Sequence, residues 1–151
     1  AAANVPDIVF FDLPGTVNSE VVINSLSGVD YIFTAIAADR VVLESSLSFA
    51  VAIHKLLVKN EACRLKGLHL FWNMVDGREK TDLYSLYEQT IGELELPLMK
   101  VFIPDTKRFK KELDAQRKTV FRSTLFPADK GLVMGSNTEE LITEIAYLIK
   151  L

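Results

Sequence analysis

Short apolar runs alternate with stretches long enough for a helix over most of this 151-residue chain, and that alternation constrains the fold more than any other feature. The runs are "DIVFFD", "DYIFTAI", "LKGLHLFWNMVD" and "LMKVFIP". A run such as Ile8-Val9-Phe10-Phe11, bounded by turn signals, reads as a strand buried on both faces, as in parallel sheets. Between the runs lies "NSEVVINSLSG", with Asn18 or Ser19 placed to cap a helix and Gly28 to stop it. Residues 41–60 follow as a long amphipathic helix, with Val42, Leu43, Leu47, Phe49, Ala50, Ile53, Leu56 and Leu57 at helical spacing. Further helices are expected over residues 81–94, over the charged "DTKRFKKELDAQRK" and over the closing "SNTEELITEIAYLIKL". The last opens with Ser136 or Asn137 ahead of Glu139 and Glu140, a capping pattern. Strands alternating with helices predict an α/β fold: three layers around a mostly parallel sheet. A doubly buried strand needs neighbours on both sides, so "DIVFFD" as the first strand raises the expectation of a further segment before it.

The remaining bulk properties narrow the function classes. No internal repeat or linker divides residues 1–151, so a single domain is expected. The net charge is −3, which gives no global attraction to nucleic acid or an anionic membrane. The one cysteine, Cys63, excludes an internal disulfide and suits a reducing cytoplasm, with an ordinary place at a helix end. No apolar run approaches the length of a membrane span. His54 and His69 lack partners at metal-ligand spacing and read as packing or surface residues. Ser45, Ser46 and Ser48 are not set in a nucleophile elbow.

In parallel sheets of this kind ligands sit beyond the carboxyl ends of the strands. That rule selects residues 12–16, 73–76 and 103–105. Asp12, at a strand end and followed by Gly15, suits a site for hydrated magnesium beside phosphate, or else caps a β-turn. Asn73 is placed to offer its amide to a purine edge, or else closes its strand with an Asx-turn. The run Asn73-Met74-Val75-Asp76 mimics the Asn-Lys-x-Asp that reads guanine in GTPases, with Met74 in place of the lysine. Trp72 reads as strand core.

Taken in order, these segments resemble the later part of the ParA/MinD family of deviant P-loop ATPases, most closely the ParA-like proteins of Bacteroides-type conjugative transposons. "DIVFFDLPG" resembles the family's strand-Asp segment, and "VDYIFTAIAADRVVLESSLSF" the strand and helix after it. "LFWNMVD" and "VFIPDTKRFKKEL" resemble the segments around the base, and "TVFRSTLFPADKGLVMGSNTEELITEI" the end of the transposon subgroup. The resemblance implies a P-loop NTPase-like fold and an ATPase with ATP and Mg2+. Asp12 would organise magnesium through water, Gly15 would lie near the terminal phosphate, and Asn73 and Asp76 with Ile103 and Pro104 would border the base. It also implies a homodimer, non-specific DNA binding and a ParB-like or conjugation partner.

The sequence departs from the family in one respect. No G-x-x-x-x-G-K-[ST] is present, and that loop cradles the phosphates. The chain therefore reads as an incomplete domain, the C-terminal two-thirds of such an ATPase, without turnover of its own. Lys107, Arg108, Lys110, Lys111, Arg117, Lys118 and Arg122 face only Glu112 and Asp114 in the same stretch, which makes a solvated helix face or a DNA contact. Two other functions fit the residues: a GTPase-like switch, and a non-catalytic binding module on a degenerate P-loop scaffold.

Overall fold

The computed structural model of the chain describes residues 6–13, 26, 28–55, 64–78, 81–107 and 130–151. The elements run β1 (Tyr31–Ile36), α1 (Arg40–Ile53), β2 (Gly67–Trp72), α2 (Thr81–Glu93), the short α3 (Lys130–Val133) and α4 (Thr138–Ile149). This is an α/β arrangement around a two-stranded parallel sheet. The helix expected over residues 18–28 and the charged helix expected over residues 105–118 lie almost wholly outside the described residues, as does Cys63.

Register follows from side-chain alternation. Ile32, Thr34 and Ile36 of β1 stand opposite Leu68, Leu70 and Trp72 of β2. All of these except half-buried Thr34 are buried, so one sheet face is core. Leu43, Ala50 and Ile53 of α1, Ile91 of α2, and Leu26 complete the same cluster. Trp72 anchors α2: its ring meets Tyr84 edge-on at 5.0 Å between centroids, and its Nε1 donates to Glu88 Oε1 at 3.1 Å. The other face pairs Tyr31 with Gly67, Phe33 with His69 and Ala35 with Phe71. Phe33 and His69 stack at 5.5 Å, and none of these residues is fully buried. Gly67 lets the His69 ring in: a Cβ there would stand 3.0 Å from His69 Nε2.

The helices begin and end for local reasons. Asp39 Oδ1 accepts the N–H groups of Val41 and Val42, both at 3.0 Å, and so caps α1. At α4 the expected cap divides. Ser136 Oγ accepts Thr138 N–H at 3.3 Å, whereas Asn137 takes a left-handed φ of 57° and spends its amide elsewhere.

Two expected strands differ from the structure. "LMKVFIP" forms no continuous strand but lies beside β2 through two parallel bridges, Leu70 with Leu98 and Val75 with Pro104. "DIVFFD", expected to be buried on both faces, carries no strand pairing and is exposed, with Phe10 77% and Phe11 66% accessible. The physical reason is pairing. A run this apolar is buried only when a sheet takes it in, and among the described residues no strand lies beside it or along the second edge of β1.

Candidate functional site

The carboxyl ends of β2 and of the segment beside it form one rim. Three bonds join them: Ile103 N–H to Trp72 O at 2.8 Å, Val75 N–H to Ile103 O at 3.0 Å, and Asp105 N–H to Val75 O at 2.9 Å. They bring Asn73 and Asp76 beside Ile103 and Pro104, which are far apart in sequence. Asn73 N–H donates to Ile36 O at 2.7 Å, which ties the rim to the end of β1.

The two polar side chains of this rim are differently engaged. Asn73 Oδ1 accepts Met74 N–H at 3.0 Å, an Asx contact that leaves the amide NH2 without a hydrogen-bond partner among the described residues. Met74 then adopts a left-handed φ of 55° with its side chain 60% accessible. Such backbone is uncommon for a residue with a Cβ and marks a local constraint. Asp76 is closed off by contrast. Arg78 grips it through Nε to Oδ1 at 3.0 Å and Nη2 to Oδ2 at 2.7 Å, with its own N–H to Oδ1 at 2.9 Å. These bonds hold the Asp76 carboxyl far below the ordinary range, at about 2. Asp76 raises the Arg78 guanidinium pKa through the same bonds, and Asp105 adds a smaller upward pull.

The other sequence candidates fall outside this rim. Asp12 is exposed and makes no hydrogen bond or ion pair with another described residue. Gly15, Arg108, Lys110, Lys111, Arg117, Lys118 and Arg122 lie outside the described residues, and Lys107 is exposed. Among the described residues no three His, Cys, Asp or Glu side chains gather as a metal site. Sequence reasoning missed Arg78, although an Asx-turn at Asp76-Gly77 places the side chain two positions on within reach of the carboxylate. It also missed Glu144 and Asn137, whose partners are backbone groups distant in sequence.

No family model, no curated protein and no solved structure matches this chain. Among the described residues no helix is long and apolar enough to cross a membrane.

Proposed function

We propose that this chain is the C-terminal portion of a ParA/MinD-type nucleotide-binding domain, a three-layer P-loop NTPase-like fold in the intact protein. Asn73, Ile103 and Pro104 form the base-facing half of its site. The observation that carries this reading is the parallel bridge of Val75 with Pro104, which gathers those residues just beyond the carboxyl end of β2. A rim of that kind, with a free amide beside an apolar Ile-Pro wall, fits the edge and face of a purine. Asp12 and Gly15 belong to the magnesium and terminal-phosphate side, which requires a phosphate-binding loop as well. When bound, Mg2+ neutralises charge on the transferring phosphate. This chain's own residues place the base and present Asp12 to a metal-bound water.

The exposed "IVFF" run and the edge of β1 that no described strand covers support a wider sheet in the intact protein. On the same reading that protein is a cytoplasmic homodimeric ATPase serving DNA partitioning or conjugative transfer. It would act with a ParB-like or conjugation partner and contact DNA non-specifically through Lys107, Arg108, Lys110, Lys111, Arg117, Lys118 and Arg122. Weak, steeply salt-dependent DNA binding by the intact dimer, lost on charge reversal at Lys110 and Lys111, is the expected outcome. Salt-insensitive binding would remove the DNA role.

Asp76 favours adenine over the GTPase-like alternative. Its carboxylate would have to receive a guanine edge, and Arg78 already occupies both of its oxygens. The test is backbone NMR of this chain titrated with AMP and with GMP at millimolar concentration, since half a site binds weakly. Adenine-selective shifts at Asn73, Met74 and Ile103 are expected. Guanine-selective shifts would favour the switch, and no shifts with either nucleotide would leave the non-catalytic binding module.

A further inference from the structure

Residues 97–105 run beside β2 but not as one strand. Leu70 N–H donates to Pro97 O and Met99 N–H to Leu70 O, both at 2.8 Å, and pairing resumes where Ile103 N–H reaches Trp72 O. The parallel bridges on either side join Leu70 with Leu98 and Val75 with Pro104. An advance of five residues along β2 therefore faces six along its neighbour, so one residue is in excess. The excess falls at residues 100–102. Successive N–H groups of an extended strand point to opposite edges. Those of Lys100 and Val101 instead meet one carboxylate, Glu144 of α4, through Oε1 at 2.9 Å and Oε2 at 2.8 Å. Consecutive N–H groups turned the same way form a concavity that suits an anion. Asn137 Nδ2 donates to Phe102 O at 2.9 Å, so α4 engages all three residues of the bulge.

A bulge beside a site re-aims the residues that follow it. Here those residues are Ile103, Pro104 and Asp105, which join Trp72 and Val75 at the rim. The carboxylate gives both bulge N–H groups a charged acceptor, a stronger bond than a neutral one. Without it, the two N–H groups would need other partners. Asn137 and Glu144 stand seven residues apart, two helical turns, so α4 grips the bulge at two points on one side.

We propose that Glu144 and Asn137 are positioning residues for the rim. From α4 they hold residues 100–102 out of the ladder, and so set where Ile103 and Pro104 stand beside Asn73. Neither side chain has to touch a ligand. A purine as that ligand rests on the reading given above, whereas the positioning of the rim stands apart from it.

The test is amide hydrogen exchange by NMR on the full 151-residue chain and three variants. They are Glu144→Ala, Glu144→Gln and Asn137→Gly, the last of which removes the amide yet readily adopts the left-handed φ of 57°. In Glu144→Ala, exchange at Val75, Ile103 and Asp105 is expected to rise about tenfold or more, with Leu70, Met99 and the α4 amides changing less than about threefold. Glu144→Gln keeps one acceptor oxygen and should fall between. Faster exchange confined to Lys100 and Val101 would overturn the proposal, because the rim would then stand without α4. A uniform rise across β2 and α4 would overturn it too, since Glu144 would then serve the whole fold. Should Glu144→Ala fail to fold, the same pattern at Ile103 and Asp105 in Asn137→Gly decides. Titration of the same samples with AMP separates the two ideas. AMP shifts at Asn73 and Ile103 in the unmodified chain, with affinity about threefold or more weaker in Glu144→Ala, support both. Equal affinity in the two would reject the positioning. No shifts in the unmodified chain would remove the purine reading alone, and the exchange pattern would still decide the positioning.

Discussion

Asp76 and Met74 show how much a single turn constrains its side chains. The Asp76 carboxyl sits at about 2 because Arg78 donates to it from side chain and backbone, against an unperturbed value of 3.8. A lowered carboxyl contributes stability that is full above its unfolded value and is lost as pH falls through the folded one. Carbon-detected titration is expected to place Asp76 near 2, and Arg78→Ala to return it towards 3.8. An unchanged value in that variant would show that the turn backbone alone sets it. Met74 is bound by its φ of 55°. A β-branched side chain tolerates that region more poorly than methionine, so Met74→Val is expected to lower stability in denaturant unfolding. His69 titrates in the opposite sense to a histidine in an ion pair. Burial lowers its pKa below 6.5, and the nearby Glu144 partly opposes that shift. Its neutral form belongs to the fold, so its contribution is present above 6.5 and fades as pH falls through the lower folded value. His69→Gln is expected to flatten that part of the profile of unfolding temperature against pH.

At the scale of elements, β2 is the organising strand. It pairs with β1 on one edge, carries the bridged segment on the other, and sends Leu68, Leu70 and Trp72 into the core. Trp72 both fills that core and ties α2 through Glu88. Trp72→Ala is expected to cost about 3–5 kcal/mol, the usual range for a buried aromatic. Trp72→Phe should cost less, since part of the ring contact survives although the hydrogen bond to Glu88 is lost. Equal losses in the two variants would mean that the bond to Glu88, rather than the packing, holds α2. The apolar pattern showed α2 and most of α1 in sequence because their periodic faces meet the sheet directly. It could not show where the N–H groups of "LMKVFIP" would find acceptors, because the one that takes those of Lys100 and Val101, Glu144, lies in α4.

At the scale of the whole molecule, the described residues leave one edge of β1 without a neighbouring strand and residues 8–11 exposed. Exposed apolar segments and unpaired strand edges pair with other chains, so concentration-dependent self-association is expected. Sedimentation should show it weakened by Phe10→Lys with Phe11→Lys. A chain that stays monomeric at every accessible concentration would refute the prediction. With no G-x-x-x-x-G-K-[ST] in its sequence, the chain is also expected to hydrolyse no ATP above a buffer blank; clear turnover by protein free of contaminating ATPase would contradict that. By itself the sequence determined the α/β alternation, β1, β2 and α2, the helical stretch at the end, and the strand-end position of Asn73. Those properties depend on neighbours in sequence, through side-chain period and turn chemistry. Only the tertiary structure decided that "IVFF" stays exposed and that Glu144 accepts the N–H groups of Lys100 and Val101. Each of these depends on which backbone or charged group arrives from elsewhere in the chain, and local periodicity carries no record of that.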